Sequence, residues 1–99
     1  MLNITKTADG GALTIALEGR LDTTTAPDLE NVWKESSEGV TDLTCDLGSL
    51  AYISSAGLRV LLSMQKVMNK QGKMRVINVS EDVMEVFEVT GFSDILTIE

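Results

Sequence analysis

Two adjacent serines, Ser54 and Ser55, are the side chains best placed to do chemistry in this sequence. They lie between an alternating stretch ending near Leu47 and a helical pattern that opens with Ala56-Gly57-Leu58. A helix start leaves backbone N–H groups without partners and carries partial positive charge, so an anion is favoured there. A phosphate on either serine would be accommodated, and locally stabilised, by that end. The plainer role is an N-cap, which serine fills without any further function. Gly57 in the first turn serves either close packing or the approach of a partner to the backbone. Spacing alone leaves these alternatives open.

Catalysis is harder to build from these residues. A nucleophile elbow needs glycine two residues either side of the serine, whereas Ser55 has Ile53 and Gly57, and Ser54 has Tyr52 and Ala56. The chain contains no histidine, which removes the commonest general base and the commonest metal ligand. A serine–histidine–acid triad and a histidine- or multi-cysteine-based zinc site are therefore excluded. A carboxylate-only Mg²⁺ or Ca²⁺ site needs a clustered acidic loop, and none is visible. We expect no catalytic residue, no metal and no cofactor.

Composition narrows the partners. The formal charge is −7, from 8 basic and 15 acidic residues, so nucleic acid and anionic lipid would repel the chain. Met1-Leu2-Asn3-Ile4-Thr5 runs straight into a strand-like pattern instead of a secretory leader, and no apolar run approaches the ~20 residues that span a bilayer. The single cysteine, Cys45, has no internal disulfide partner and falls on an apolar alternation, as a small core residue would. A reducing cytoplasm suits these features.

The elements that must position the serines follow from periodicity. Leu2 and Ile4, then Leu13, Ile15 and Leu17, give two alternating strands joined at Asp9-Gly10-Gly11, a hairpin expected to end at Gly19. Thr25 and Asp28 match a capping box, with Pro27 in the first turn of a helix carrying Leu29, Val32 and Trp33. Leu43, Cys45 and Leu47 alternate as a third strand, followed by an expected loop containing Gly48, Leu50 and Tyr52. A long helix is predicted from near Ser54 to about Lys70, with Val60, Leu61, Met64, Val67 and Met68 as its apolar stripe. Arg59, Lys66 and Lys70 form a basic face on it, unusual in so acidic a chain and suited to steering a partner. Met74 to Val79 reads as a buried strand, Ser80 as the cap of a short helix ending at Gly91, and Ile95–Ile98 as a last strand. The unit from Leu43 to Val79 should be parallel with a right-handed crossover. These elements predict one α/β domain over residues 1–99, a mixed sheet with helices packed against it.

Three stretches in order resemble the STAS-domain anti-sigma factor antagonists of bacteria. Asp46 to Leu62 is similar to the family's strand end, aromatic–aliphatic pair and serine-rich helix opening. Gly19-Arg20-Leu21-Asp22 resembles its glycine–x–aliphatic–acidic motif, and Val86 to Leu96 its closing helix–glycine–strand segment. The resemblance implies a partner that is both serine kinase and anti-sigma factor, bound by the unmodified domain and released on phosphorylation. It also implies a serine phosphatase that resets the switch. The phosphoacceptor falls by position on Ser55 and a nearby acidic residue on Asp22. Asp22, Ser54, Gly57, Arg59 and Lys66 are then candidate partner-binding residues.

The departures are specific. Ser54 stands where many members have Asp, and Ala56 where they often have Ser or Thr. Both Ser and Asp cap helices well, so the helix start should survive. Relatives usually continue into another helix beyond the position of Glu99. The alternative implied by the same resemblance is a STAS module of another assembly, such as a stressosome-like sensor or a lipid-transporter subunit, that is not regulated by phosphorylation.

Overall fold

A computed structural model describes residues 2–99. β1 (Leu2–Asp9) and β2 (Ala12–Leu21) form the expected antiparallel hairpin. Then come α1 (Ala26–Ser36), β3 (Asp42–Ile53), α2 (Ser55–Gln71), β4 (Lys73–Ile77) and α3 (Glu81–Thr90), with a 3-10 turn at Phe92–Asp94. The sheet is four-stranded and mixed, in the order β1-β2-β3-β4. β3 is parallel to both β2 and β4. α1 thus connects one parallel pair and α2 the next, so the parallel part extends further than the Leu43–Val79 unit alone.

Alternation decides which face is covered. Leu13, Ile15 and Leu17 of β2, Leu43, Cys45 and Leu47 of β3, and Met74 and Val76 of β4 are all buried. Leu29 and Trp33 of α1, Leu58, Leu61, Met64 and Met68 of α2, and Val83 and Phe87 of α3 join them in one core. Most of the alternate positions carry polar groups, with Ala12, Ala16 and Ile77 as exceptions. Thr14 pairs with Thr44 and Thr44 with Arg75 across the opposite face, where Arg75 Nε donates to Thr44 Oγ1 at 3.1 Å. That face has no apolar stripe to bury.

Four expectations are corrected. The hairpin does not end at Gly19; β2 continues to Leu21, with Gly19 at φ 106°, a conformation glycine tolerates, beside a register shift. The expected loop after Leu47 is strand, because two register shifts let β3 pair with Glu18 to Leu21 while breaking its two-residue period. The strand expected to reach Val79 stops at Ile77, where Asn78 takes a left-handed φ of 58°. The last strand is reduced to a single bridge between Val76 and Ile98, because the 3-10 turn consumes the preceding residues.

Cys45 lies fully inside this core, and burial pushes its thiol from 9.0 up to about 12. The folded state therefore holds the neutral thiol. Its contribution to stability is complete below pH 9.0 and is lost as pH rises from there toward 12. A thiol-reactive probe at pH 8 should leave the native chain unlabelled and label it only after unfolding. Rapid stoichiometric labelling of the folded chain would contradict this packing.

Candidate functional site

The serines sit where two strand ends meet. Ser54 N–H donates to the Leu21 carbonyl at 2.9 Å, tying the end of β3 to the end of β2. Ser54 is the N-cap residue of α2, with extended backbone at φ −103°, ψ 176°, and its carbonyl accepts the first helical bond from Leu58 N–H at 3.0 Å. Its hydroxyl does not cap the helix; Ser54 Oγ is buried with no hydrogen-bond partner. Ser55 is the first helical residue and is exposed. The expected side-chain cap is thus absent: Ser54 holds the N-cap position with its hydroxyl turned inward, while Ser55 is exposed.

Gly57 locks that geometry. A Cβ there would lie 2.6 Å from Leu21 Cγ and 3.0 Å from Ile53 Cγ1, closer than carbon atoms can approach. Gly57 is itself buried, and its missing side chain serves close packing inside the chain.

The loop from β2 into α1 is built around Asp22. Its Oδ1 accepts from Thr24 N–H at 3.0 Å, Thr24 Oγ1 at 2.8 Å and Thr25 N–H at 3.1 Å. Asp22 N–H donates to Thr25 Oγ1 at 2.8 Å, and that hydroxyl donates to the Arg20 carbonyl at 2.8 Å. The expected Thr25–Asp28 capping box is therefore absent, because Thr25 spends its hydroxyl on the preceding strand. The Thr24 hydroxyl above all, with the backbone N–H groups of Thr25 and Thr24, holds the Asp22 carboxyl below its ordinary value of 3.8, against an opposing push from desolvation.

Arg20 and Tyr52, directly paired across β2 and β3, stack with the guanidinium 4.3 Å from the ring centroid. Arg20 Nε also lies 3.8 Å from Asp22 Oδ2. The pairing of Arg20 with Tyr52 was not expected from sequence, because their meeting depends on the shifted register of β2 and β3. Between α1 and α2 runs a groove of about 290 Å³, lined by Thr23, Pro27, Glu30, Asn31, Ala56 and Arg59 among others. Asp22, Ser54, Ser55 and Arg59 are thereby brought to one end of the molecule. Lys66 and Lys70 are exposed on α2 but lie further along it, Lys66 roughly 16 Å from Ser55 at 1.5 Å per residue.

Comparison with known families settles the fold's kinship: the STAS domain family matches residues 3–99. This chain belongs to the STAS domain family. BtrV of Bordetella bronchiseptica, provisionally assigned as an anti-sigma factor antagonist, is 37% identical over 90 residues, covering 89% of this chain and 78% of its own. The anti-sigma-B factor antagonist of Staphylococcus aureus is 29% identical over 99 residues, covering 98% of this chain and 92% of its own. The Bacillus cell fate determinant SpoIIAA, solved in its phosphorylated form, superposes with a TM-score of 0.75 at 17% identity, covering 100% of this chain and 91% of its own. The fold class of this STAS domain is the one read from its sequence. Among the described residues no helix is long and apolar enough to cross a membrane.

Two substitutions test how the STAS domain's site is held. Gly57→Ala should overpack the junction against Leu21 and cost about 1–3 kcal/mol, lowering the melting temperature by roughly 5–20 °C. An unchanged melt would show that Leu21 yields without strain. For the loop, Asp22→Asn keeps an oxygen acceptor and should preserve amide protection at Thr24, while Asp22→Ala should lose it. Thr25 N–H, which also donates to the Asp22 carbonyl at 3.2 Å, should be less affected. In the parent, the carboxylate's hold is present above pH 3.8 and is released as pH falls below that value.

Proposed function

We propose that this STAS domain is an anti-sigma factor antagonist that acts as a phosphorylation switch at Ser55. The observation that carries the reading is an exposed serine hydroxyl on the first residue of a helix whose start is rigidly docked. The relatives named above support the antagonist role. In this reading the unmodified domain binds a partner that is both serine kinase and anti-sigma factor, freeing a sigma factor in the cytoplasm. The kinase moves the γ-phosphoryl group of ATP to Ser55 Oγ; ADP leaves, and the hydroxyl proton passes to a base on the kinase. A serine phosphatase restores the hydroxyl. The domain itself supplies no catalytic group and takes no cofactor.

Partner contact is assigned to the end of the molecule that carries Asp22, Ser54, Ser55 and Arg59. Lys66, exposed further along α2, contributes to electrostatic steering of the approach. Release follows from the modified surface and not from loss of fold. A phosphate brings about −1.5 to −2 charge, placed where the positive end of α2 contributes roughly 0.3–1 kcal/mol in its favour.

Incubation with a co-purified serine kinase and ATP should add one phosphate, mapped by peptide mass spectrometry to Ser55. Ser55→Asp should melt within a few degrees of the parent yet bind that kinase at least tenfold more weakly. Ser55→Ala should bind and resist release by ATP. Phosphate confined to Ser54 would move the site by one residue, and loss of a cooperative melt in Ser55→Asp would place the effect in the fold.

A further inference from the structure

Arg59 stands four residues after Ser55, and both are exposed. The four-residue spacing puts Ser55 and Arg59 one turn apart on the same face of α2, and long helical side chains tend to lean toward the N-terminus. An anion followed four residues later by a cation is the favourable order for a helical pair. Arg59 is also uncommitted. Among the described residues the ion pairs are Arg20–Asp22, Lys34–Glu30 and Arg75–Glu99, and none involves it. The acid nearest to hand in the groove, Glu30, is held by Lys34 at 3.1 Å.

The first turn of α2 adds a second asymmetry. α1 carries Asp28 and α3 carries Glu81 and Asp82 in their first turns, but α2 has no acid there. A guanidinium in no ion pair and a helix start with no acid in its own first turn thus lie within one turn of the same exposed hydroxyl. The carboxylate on the neighbouring loop, Asp22, is held by Arg20, Thr24 and Thr25.

We propose that Arg59 is the intramolecular partner of a phosphate on Ser55, and that this pairing withdraws a cation from the groove between α1 and α2. It rests on the assignment of Ser55 as phosphoacceptor. Phosphorylation then changes the surface twice: a dianion appears at the helix start, and the groove loses its arginine. A partner carboxylate that met Arg59 in the unmodified domain would face a neutralised pair afterwards. Arg59 is a positioning residue here, since it acts on the phosphate after transfer.

The test installs phosphoserine at position 55 during translation, so it does not depend on any kinase. Phosphorus NMR then follows the phosphate through its second ionisation, ordinarily near pH 6. In the otherwise unaltered chain the midpoint should lie roughly half a unit or more below that of Arg59→Gln. Arg59→Lys should recover part of the shift, as a charge without the guanidinium fork. The Arg59 Nε–H resonance should move between the unmodified and phosphorylated chains. Equal midpoints in the parent and Arg59→Gln, or an unmoved Arg59 resonance, would overturn the pairing. The Ser55 assignment fails separately if kinase and ATP leave Ser55 unmodified, which removes the pairing from regulation whatever the titration gives.

Discussion

The close approach of α2 to the ends of two strands is the constraint on which the site depends. Leu21 is fully buried, and Gly57 lets the first turn of α2 press against it, with Ile53 alongside. The Ser54 N–H to Leu21 carbonyl bond then fixes the chain's path from β3 into the helix. With these contacts in place, Ser55 has little choice of direction. The same contacts bring the Asp22 loop beside it, because Leu21 is the residue immediately before that loop. One short stretch of backbone therefore aligns a helix start, an ordered acidic loop and the mouth of a groove.

Electrostatics at that end are arranged by satisfaction rather than by burial. Asp22 is a charge in an acidic chain, yet its Oδ1 is bonded by the Thr24 hydroxyl and two backbone N–H groups. Those bonds stabilise the ionised carboxylate and hold the loop in a single shape. Arg20 is occupied by the Tyr52 ring and the far oxygen of Asp22. The helix start has no such internal partner, since Ser54 turns its hydroxyl inward and no acid lies in the first turn. Among the described residues, the positive end of α2 and the unpaired Arg59 are thus left without an internal anion in the first turn of the helix.

What could be read from sequence follows from which signals are local. The apolar stripe of α2, the Ser80 cap of α3 and the opening hairpin are repeats or short-range bonds, so residue spacing exposes them. Ser80 Oγ does accept from Val83 N–H at 3.3 Å, as a cap should. The second half of β3 was not legible, because two bulges interrupt the alternation that identifies a strand. The Arg20–Tyr52 stack was illegible for the same reason, being a consequence of register. Thr25 misled in another way: its spacing to Asp28 fits a capping box, but a stronger local competitor, the Arg20 carbonyl, takes the hydroxyl. The roles expected of Ser55 and Asp22 come only from family resemblance, since spacing could not separate a cap from a phosphoacceptor.

A site of this construction favours a switch that rewrites a surface over one that melts a domain. Melting would require a single phosphate to offset a stability of the order of 5–15 kcal/mol. In the proposed switch the phosphate would instead meet a helix end that favours it, on an exposed side chain. The residues that fix the junction, Leu21, Ile53 and Gly57, are buried. In that reading the fold would stay constant while the exposed face alternated between a neutral hydroxyl and a dianion. Binding energy responds steeply to such a change because a charge desolvated without a partner costs several kcal/mol, far more than its effect on the free domain. In the proposed switch a tightly packed junction would thus route the phosphate's effect to the interface.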